Sequence, residues 1–130
     1  MRLILFATLF LATVGGSAIA AESSFQRSCS NIDLDLENNN AWIVADCGDG
    51  TGRDKPAEIA IRGVHNTNGQ LTGNADFSSS FQRSCRDAYL EWNDNSVILF
   101  ATCGNGRGSE IRSSIYLLNI HNRFGTLTYN

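Results

Sequence analysis

Neither a basic patch nor a run of like charge occurs in the 130 residues, whose formal net charge is -3. A nucleic-acid partner needs a concentrated cationic surface, so the charge pattern argues against one. No Asn-x-Ser/Thr sequon is present although asparagine is abundant, so the chain carries no N-glycan of its own. The Cys-x-x-Cys spacing of a zinc knuckle is missing too. No stretch beyond the N-terminal segment shows helical periodicity for longer than a turn or two. Only one apolar run is long, Leu3 to Val14. At about 12 residues it falls short of the ~20 that a membrane span needs, and nothing after it is longer.

What is present is a repeat. Ser80-Phe81-Gln82-Arg83-Ser84-Cys85 duplicates Ser24-Phe25-Gln26-Arg27-Ser28-Cys29 letter for letter. The same offset places Cys47 on Cys103, Gly48 on Gly104, Gly50 on Gly106, Gly52 on Gly108, Ile59 on Ile115, His65-Asn66 on His121-Asn122, Gly69 on Gly125 and Leu71-Thr72 on Leu127-Thr128. No gap is needed, so the chain contains a duplicated unit and any function should be sought twice.

The N-terminal run reads as an export signal. Arg2 precedes the apolar stretch, and Gly15-Gly16-Ser17 leads to the small-residue site Ala18-Ile19-Ala20. Cleavage after Ala20 makes residues 1–20 a signal peptide and residues 21–130 one soluble, extracellular domain without membrane insertion. Loss of Arg2 takes the charge from -3 to -4. The four cysteines all fall in this domain, one Cys-x17-Cys spacing per repeat, which in a secreted chain means disulfides. Of three connectivities the duplication selects Cys29 with Cys47 and Cys85 with Cys103, since each unit must first have folded with its own bridge. Each closed loop is worth about 3 kcal/mol.

Ile32-Asp33-Leu34-Asp35-Leu36 and Ala88-Tyr89-Leu90-Glu91-Trp92 alternate with period two, the mark of a half-buried strand. Turn-tolerant residues 37–40 and 93–96 follow, and then the apolar return strands 41–45 and 97–101, covered on both faces. After each second cysteine comes a glycine-rich loop, 48–52 and 104–108, either a ligand-approaching backbone or a permissive turn. A third strand is expected over 58–62 and 114–118. The segments 65–69 and 121–125 read as turns leading into a last short strand. Residues 73–76 join the units, and the fold class is all-β.

Two tandem units, each opening Phe-x-x-x-Cys, each with one internal bridge and each ending Asn-x-x-Gly-x-Leu, resemble the cyanovirin-N homolog (CVNH) family of small lectins. The resemblance covers repeat 1 (about 23–74) and repeat 2 (about 79–130). It implies a pseudo-symmetric all-β domain whose halves exchange strands, no catalysis and no cofactor, and binding of mannose-rich oligosaccharides or glycoproteins. Carried over by position, a first pocket would use Ser24, Arg27, Ser28, Asp49, Thr51 and Asn122. A second would use Ser79, Ser80, Arg83, Ser84, Asn105, Arg107, Asn66 and Asn68. Short Asn, Asp and Ser side chains suit the paired donors and acceptors of a hexose. The chain differs from the family in placing Phe124 and Asn68 where an acidic residue is frequent, Arg27 and Arg83 where Gln or Glu is frequent, and glycines in the post-cysteine loops. The linker is about three residues longer than in relatives, favouring a closed monomer over a strand-swapped dimer.

Other readings stay beside this one. The scaffold could bind a protein partner instead of sugar. His65 and His121 could serve a small hydrolase, against which stands a plain role in hydrogen-bonding backbone. Asp46, Asp49 and Asp54 hint at a calcium loop, but the spacing is not that of an EF-hand. Arg27 and Arg83 would either fork ring hydroxyls or pair with a nearby carboxylate. Asp33 and Asp35 share one strand face, which solvation alone explains.

Overall fold

The computed structural model describes residues 21–129; residues 1–20, expected to be a signal peptide, lie outside them. Each repeat opens with a single 3-10 turn, Phe25–Arg27 or Phe81–Arg83, and continues into a three-stranded antiparallel sheet. The first sheet holds β1 (Cys29–Asp35), β2 (Trp42–Gly48) and β3 (Asp54–Ala60). A hairpin of β4 (Val64–Thr67) and β5 (Gln70–Gly73) follows. The second repeat gives β6 (Cys85–Trp92), β7 (Val97–Gly104) and β8 (Glu110–Tyr116), then the hairpin β9 (Ile120–Arg123) and β10 (Thr126–Tyr129). The chain is all-β, as expected.

The two bridges are Cys29–Cys47 and Cys85–Cys103, each across a register pair of its own sheet. No cysteine is free, which removes the zinc reading.

The hairpins are exchanged. β5 of the first repeat packs on β8 of the second, and β10 packs on β3. The Leu71 amide donates to Ser113 Oγ at 2.8 Å, while Gly69 rests on Ile111 and Gly125 on Lys55. Between the sheets lies one core, duplicated member for member: Phe25 with Phe81, Ile43 with Leu99, Ile61 with Leu117, Val64 with Ile120 and Leu71 with Leu127 are all buried. β2 and β7 are buried at every second residue, so only one face of each lies on this core and not both, as their unbroken apolar runs suggest; successive side chains of a strand point to opposite faces.

Several boundaries differ from the sequence reading: the first strands start at Cys29 and Cys85, and the third strands start four residues early, at Asp54 and Glu110. The third strand of repeat 1 begins at Asp54 and runs through Pro56, which β3 tolerates because it is an edge strand with β2 on one side only. His65-Asn66 and His121-Asn122 are strand residues, and the turns are only Asn68-Gly69 and Phe124-Gly125. Asn-Gly is the strongest two-residue hairpin signal, and it draws the strands in to its edges.

Candidate functional site

The expected pocket residues separate into side chains that build the joint between repeats and side chains that remain available. Asn66 and Asn122 belong to the joint. Asn122 Nδ2 donates to Ser28 Oγ at 2.9 Å and to the Gly48 carbonyl at 3.0 Å, and its Oδ1 accepts from the Gly125 amide at 2.8 Å. Asn66 makes the same three bonds to Ser84, Gly104 and Gly69. Each amide thus pins one repeat's hairpin to the other repeat's disulfide corner.

The serines before the cysteines are engaged as well. Ser24 Oγ and His121 Nδ1 share a hydrogen bond of 2.5 Å, and Ser80 Oγ and His65 Nδ1 one of 2.6 Å. The histidines therefore hold serine hydroxyls across the repeats, not backbone as the simpler sequence reading expects. Asp76 Oδ2 lies 3.0 Å from His65 Nε2 but off the direction of a good hydrogen bond. His121, in the matching position, has no carboxylate within ion-pair reach among the described residues. Ser79 is buried, donating to the Ile61 carbonyl at 2.6 Å and accepting from the Val64 amide at 3.0 Å. Ser23, which the sequence reading passes over, does the same between Leu117 and Ile120.

Arg27 Nε donates to the Asp94 carbonyl at 2.7 Å, tying it to the β6–β7 turn, neither to a carboxylate nor toward the Asp49 loop. Arg83 lines a separate groove with Asn39, Asn40 and Gln82.

What remains at the second end is a shallow depression of about 210 Å³ lined by Asn68, Asn105, Arg107 and Ile111. Asn105 Oδ1 accepts from the Arg107 amide at 2.8 Å and the Ser109 amide at 3.2 Å, so the glycine loop is closed on its own side chain. Its Nδ2 has no protein partner among the described residues. Ile111, near the start of β8, is a lining residue that sequence reasoning missed, because the sequence marks that strand only from residue 114.

At the first end Asp49 plays the part of Asn105. Its Oδ1 accepts from the Thr51 amide at 2.8 Å and the Thr51 hydroxyl at 2.6 Å, and the hydroxyl bond above all holds the carboxyl below its ordinary 3.8. This end is not open like the other. The Phe124 ring lies over the loop, 3.1 Å from where a Cβ on Gly50 would stand, whereas Gly106 has nothing within 4 Å. Among the described residues no group of three or more His, Cys, Asp or Glu is gathered to hold a metal.

An all-β body of two exchanged repeats, each bridged once and carrying a glycine loop facing the other's hairpin turn, defines a small two-ended binding scaffold. The CVNH domain model matches residues 25–128, and the chain belongs to that family. It is similar to microvirin, solved as a mannobiose complex, at 28% identity over 83% of this chain and 99% of that one, with a TM-score of 0.63. The CVNH of Gibberella zeae is 25% identical over 82% and 96%, with a TM-score of 0.58. A MoCVNH3 variant in complex with (N-GlcNAc)4, at 22% identity over 87% and 100% and a TM-score of 0.64, shares the fold. No curated protein matches the chain in sequence.

Proposed function

We propose that this protein is a secreted lectin whose second pocket takes the end of a mannose-type oligosaccharide, by hydrogen bonds and without metal or cofactor. The observation that carries the reading is the depression formed by Asn68, Asn105 and Arg107, where planar amide and guanidinium donors converge on an opening not used by the fold. Family membership and the likeness to a mannobiose-binding relative support sugar as the ligand. The export-type leader and the two disulfides support secretion. The first pocket, covered by Phe124, contributes little in the native chain.

A glycan array probed with the oxidised protein comprising residues 21–130, with and without calcium, tests this. Binding confined to mannose-terminated structures and indifferent to calcium is expected. Replacing Asn105 and Arg107 together by alanine should weaken it about tenfold or more, the loss of one or two hydrogen bonds, one charged. An array silent to protein shown to be folded overturns the assignment.

A second reading, a protein-binding module, has one observation in its favour. Tyr89 stacks on Phe100 with ring centroids 5.1 Å apart and Arg112 lies over the Tyr89 ring, on a sheet face where the first repeat has Asp33, Val44 and Pro56.

A further inference from the structure

The core is duplicated almost residue for residue, so positions where side-chain size departs from the internal repeat show what the duplication alone does not require. Three such departures meet in one place. Phe77, Tyr116 and Tyr129 line a groove of about 420 Å³ between the linker and the end of β8. Their counterparts in the paired unit are Ala21, Ala60 and Gly73. Arg62, whose counterpart is Leu118, lies between two of the rings, its guanidinium carbon 5.1 Å from the Phe77 centroid and 4.4 Å from that of Tyr129.

The groove is held in shape. Tyr129 Oη donates to the Ala60 carbonyl at 2.9 Å and accepts from the Arg62 amide at 3.0 Å. The linker is fixed by Asn74 N–H to the Gly63 carbonyl at 2.8 Å and Gly63 N–H to the Ser78 carbonyl at 3.2 Å. Yet Phe77 is 80% exposed and Tyr116 59% exposed. Neither ring serves the core, and each keeps an apolar face in water.

The remaining polar groups describe the ligand. Asn74 Oδ1 accepts from the Asp76 amide and Asn119 Oδ1 from the Ala21 backbone nitrogen, the α-amino group once residues 1–20 are removed, so each side chain is oriented while its NH2 has no protein partner among the described residues. One cation, Arg62, and one anion, Asp76, line the groove, which fits a neutral ligand better than a charged one. A concave, mainly apolar and aromatic site of ~300–1,000 Å³ with a few placed polar groups is the usual form of a small-molecule site. Aromatic faces beside amide donors match a pyranose, with its C–H face and its ring of hydroxyls.

We propose that this groove is a further carbohydrate site, distinct from the two post-cysteine pockets, in which a neutral pyranose stacks on Phe77 and Tyr116 and the amides of Asn74 and Asn119 reach its hydroxyls. That the ligand class is sugar rests on the lectin reading above. The location rests on the aromatic asymmetry.

The test is a backbone amide NMR titration of the protein comprising residues 21–130 with mannobiose and, separately, with chitotetraose. Two sets of shifts are expected, one at Asn68, Asn105 and Arg107 and one at Gly73, Leu118 and Asn119; the sugar that moves the second set identifies which pyranose the groove takes. Tyr116→Ala should weaken the groove set about tenfold while leaving the Asn105 set in place. Asn105→Ala with Arg107→Ala should do the converse. Phe77→Ala, at a side chain outside the core, repeats the test where Tyr116→Ala perturbs β8. Shifts at the Asn105 set alone, with both sugars, overturn the groove and leave the lectin reading standing. Shifts at neither set overturn both. Groove shifts that persist in Phe77→Ala/Tyr116→Ala overturn the aromatic platform.

Discussion

Phe124 decides the difference between the two ends of the molecule. It occupies the first position of the two-residue β9–β10 turn at φ 53, where its counterpart Asn68 sits at φ 52. The left-handed region costs an ordinary L-residue about 1–2 kcal/mol, and asparagine less. With 76% of its surface exposed, the phenylalanine regains little of this by burial. Phe124→Asn should therefore raise stability by about 1 kcal/mol in urea unfolding and uncover the first pocket, so that mannobiose then shifts the amides of Asp49 and Thr51. An unchanged midpoint and a silent loop would show that the ring is neither strained nor a cover. At this scale the sequence was legible in residue type and not in residue duty. Asn122, Ser24, Ser79 and Arg27 are the right chemistry for a sugar, but whether a polar atom is already engaged is set by distances that no spacing reveals.

Elements were read better than their ends. Period-two alternation locates β1 and β6 within a few residues, because one face of each lies on the core, and unbroken apolar runs locate β2 and β7, although only one face of these is buried and not both. β3 and β8 both begin four residues before the sequence marks them; Arg53-Asp54-Lys55-Pro56 carries nothing that reads as a strand, and only pairing with β2 along its whole length makes β3 one. The four-residue strands β4 and β9 read as turns in the sequence because His-Asn close before a glycine, Gly69 or Gly125, carries turn chemistry, and a strand so short offers no period to set against it. Connections between elements can be graded too. Gly52 and Gly63 both have positive φ, 89 and 69, but a Cβ on Gly52 meets nothing whereas one on Gly63 would stand 2.2 Å from the Asn74 carbonyl oxygen. Gly52→Ala should cost about 1–2 kcal/mol and Gly63→Ala about twice that or more, since the linker backbone must move. Equal losses in denaturant unfolding would mean that the linker yields freely.

For the whole molecule, the exchange of hairpins between repeats was not visible in periodicity; it entered through the family resemblance, and the β5–β8 and β10–β3 packing establishes it. Because a hairpin can cap the other repeat of its own chain or of a second chain, the linker sets the balance. Deleting residues 74–76 should shift the balance toward a strand-exchanged dimer, read as an increase in mass by light scattering; an unchanged mass would show that slack plays no part. The same interlocking has a consequence in time. A ribosome delivers β1 to β5 before the sheet that β5 must cover has been made, and β3 waits for β10, the last strand of all. Until then the first repeat has a closed disulfide corner but an uncovered flank, with Leu71 and Ile61 lacking their final neighbours. Folding of this domain is accordingly completed only once β10 has been made, and the first half spends that interval as the aggregation-prone partner.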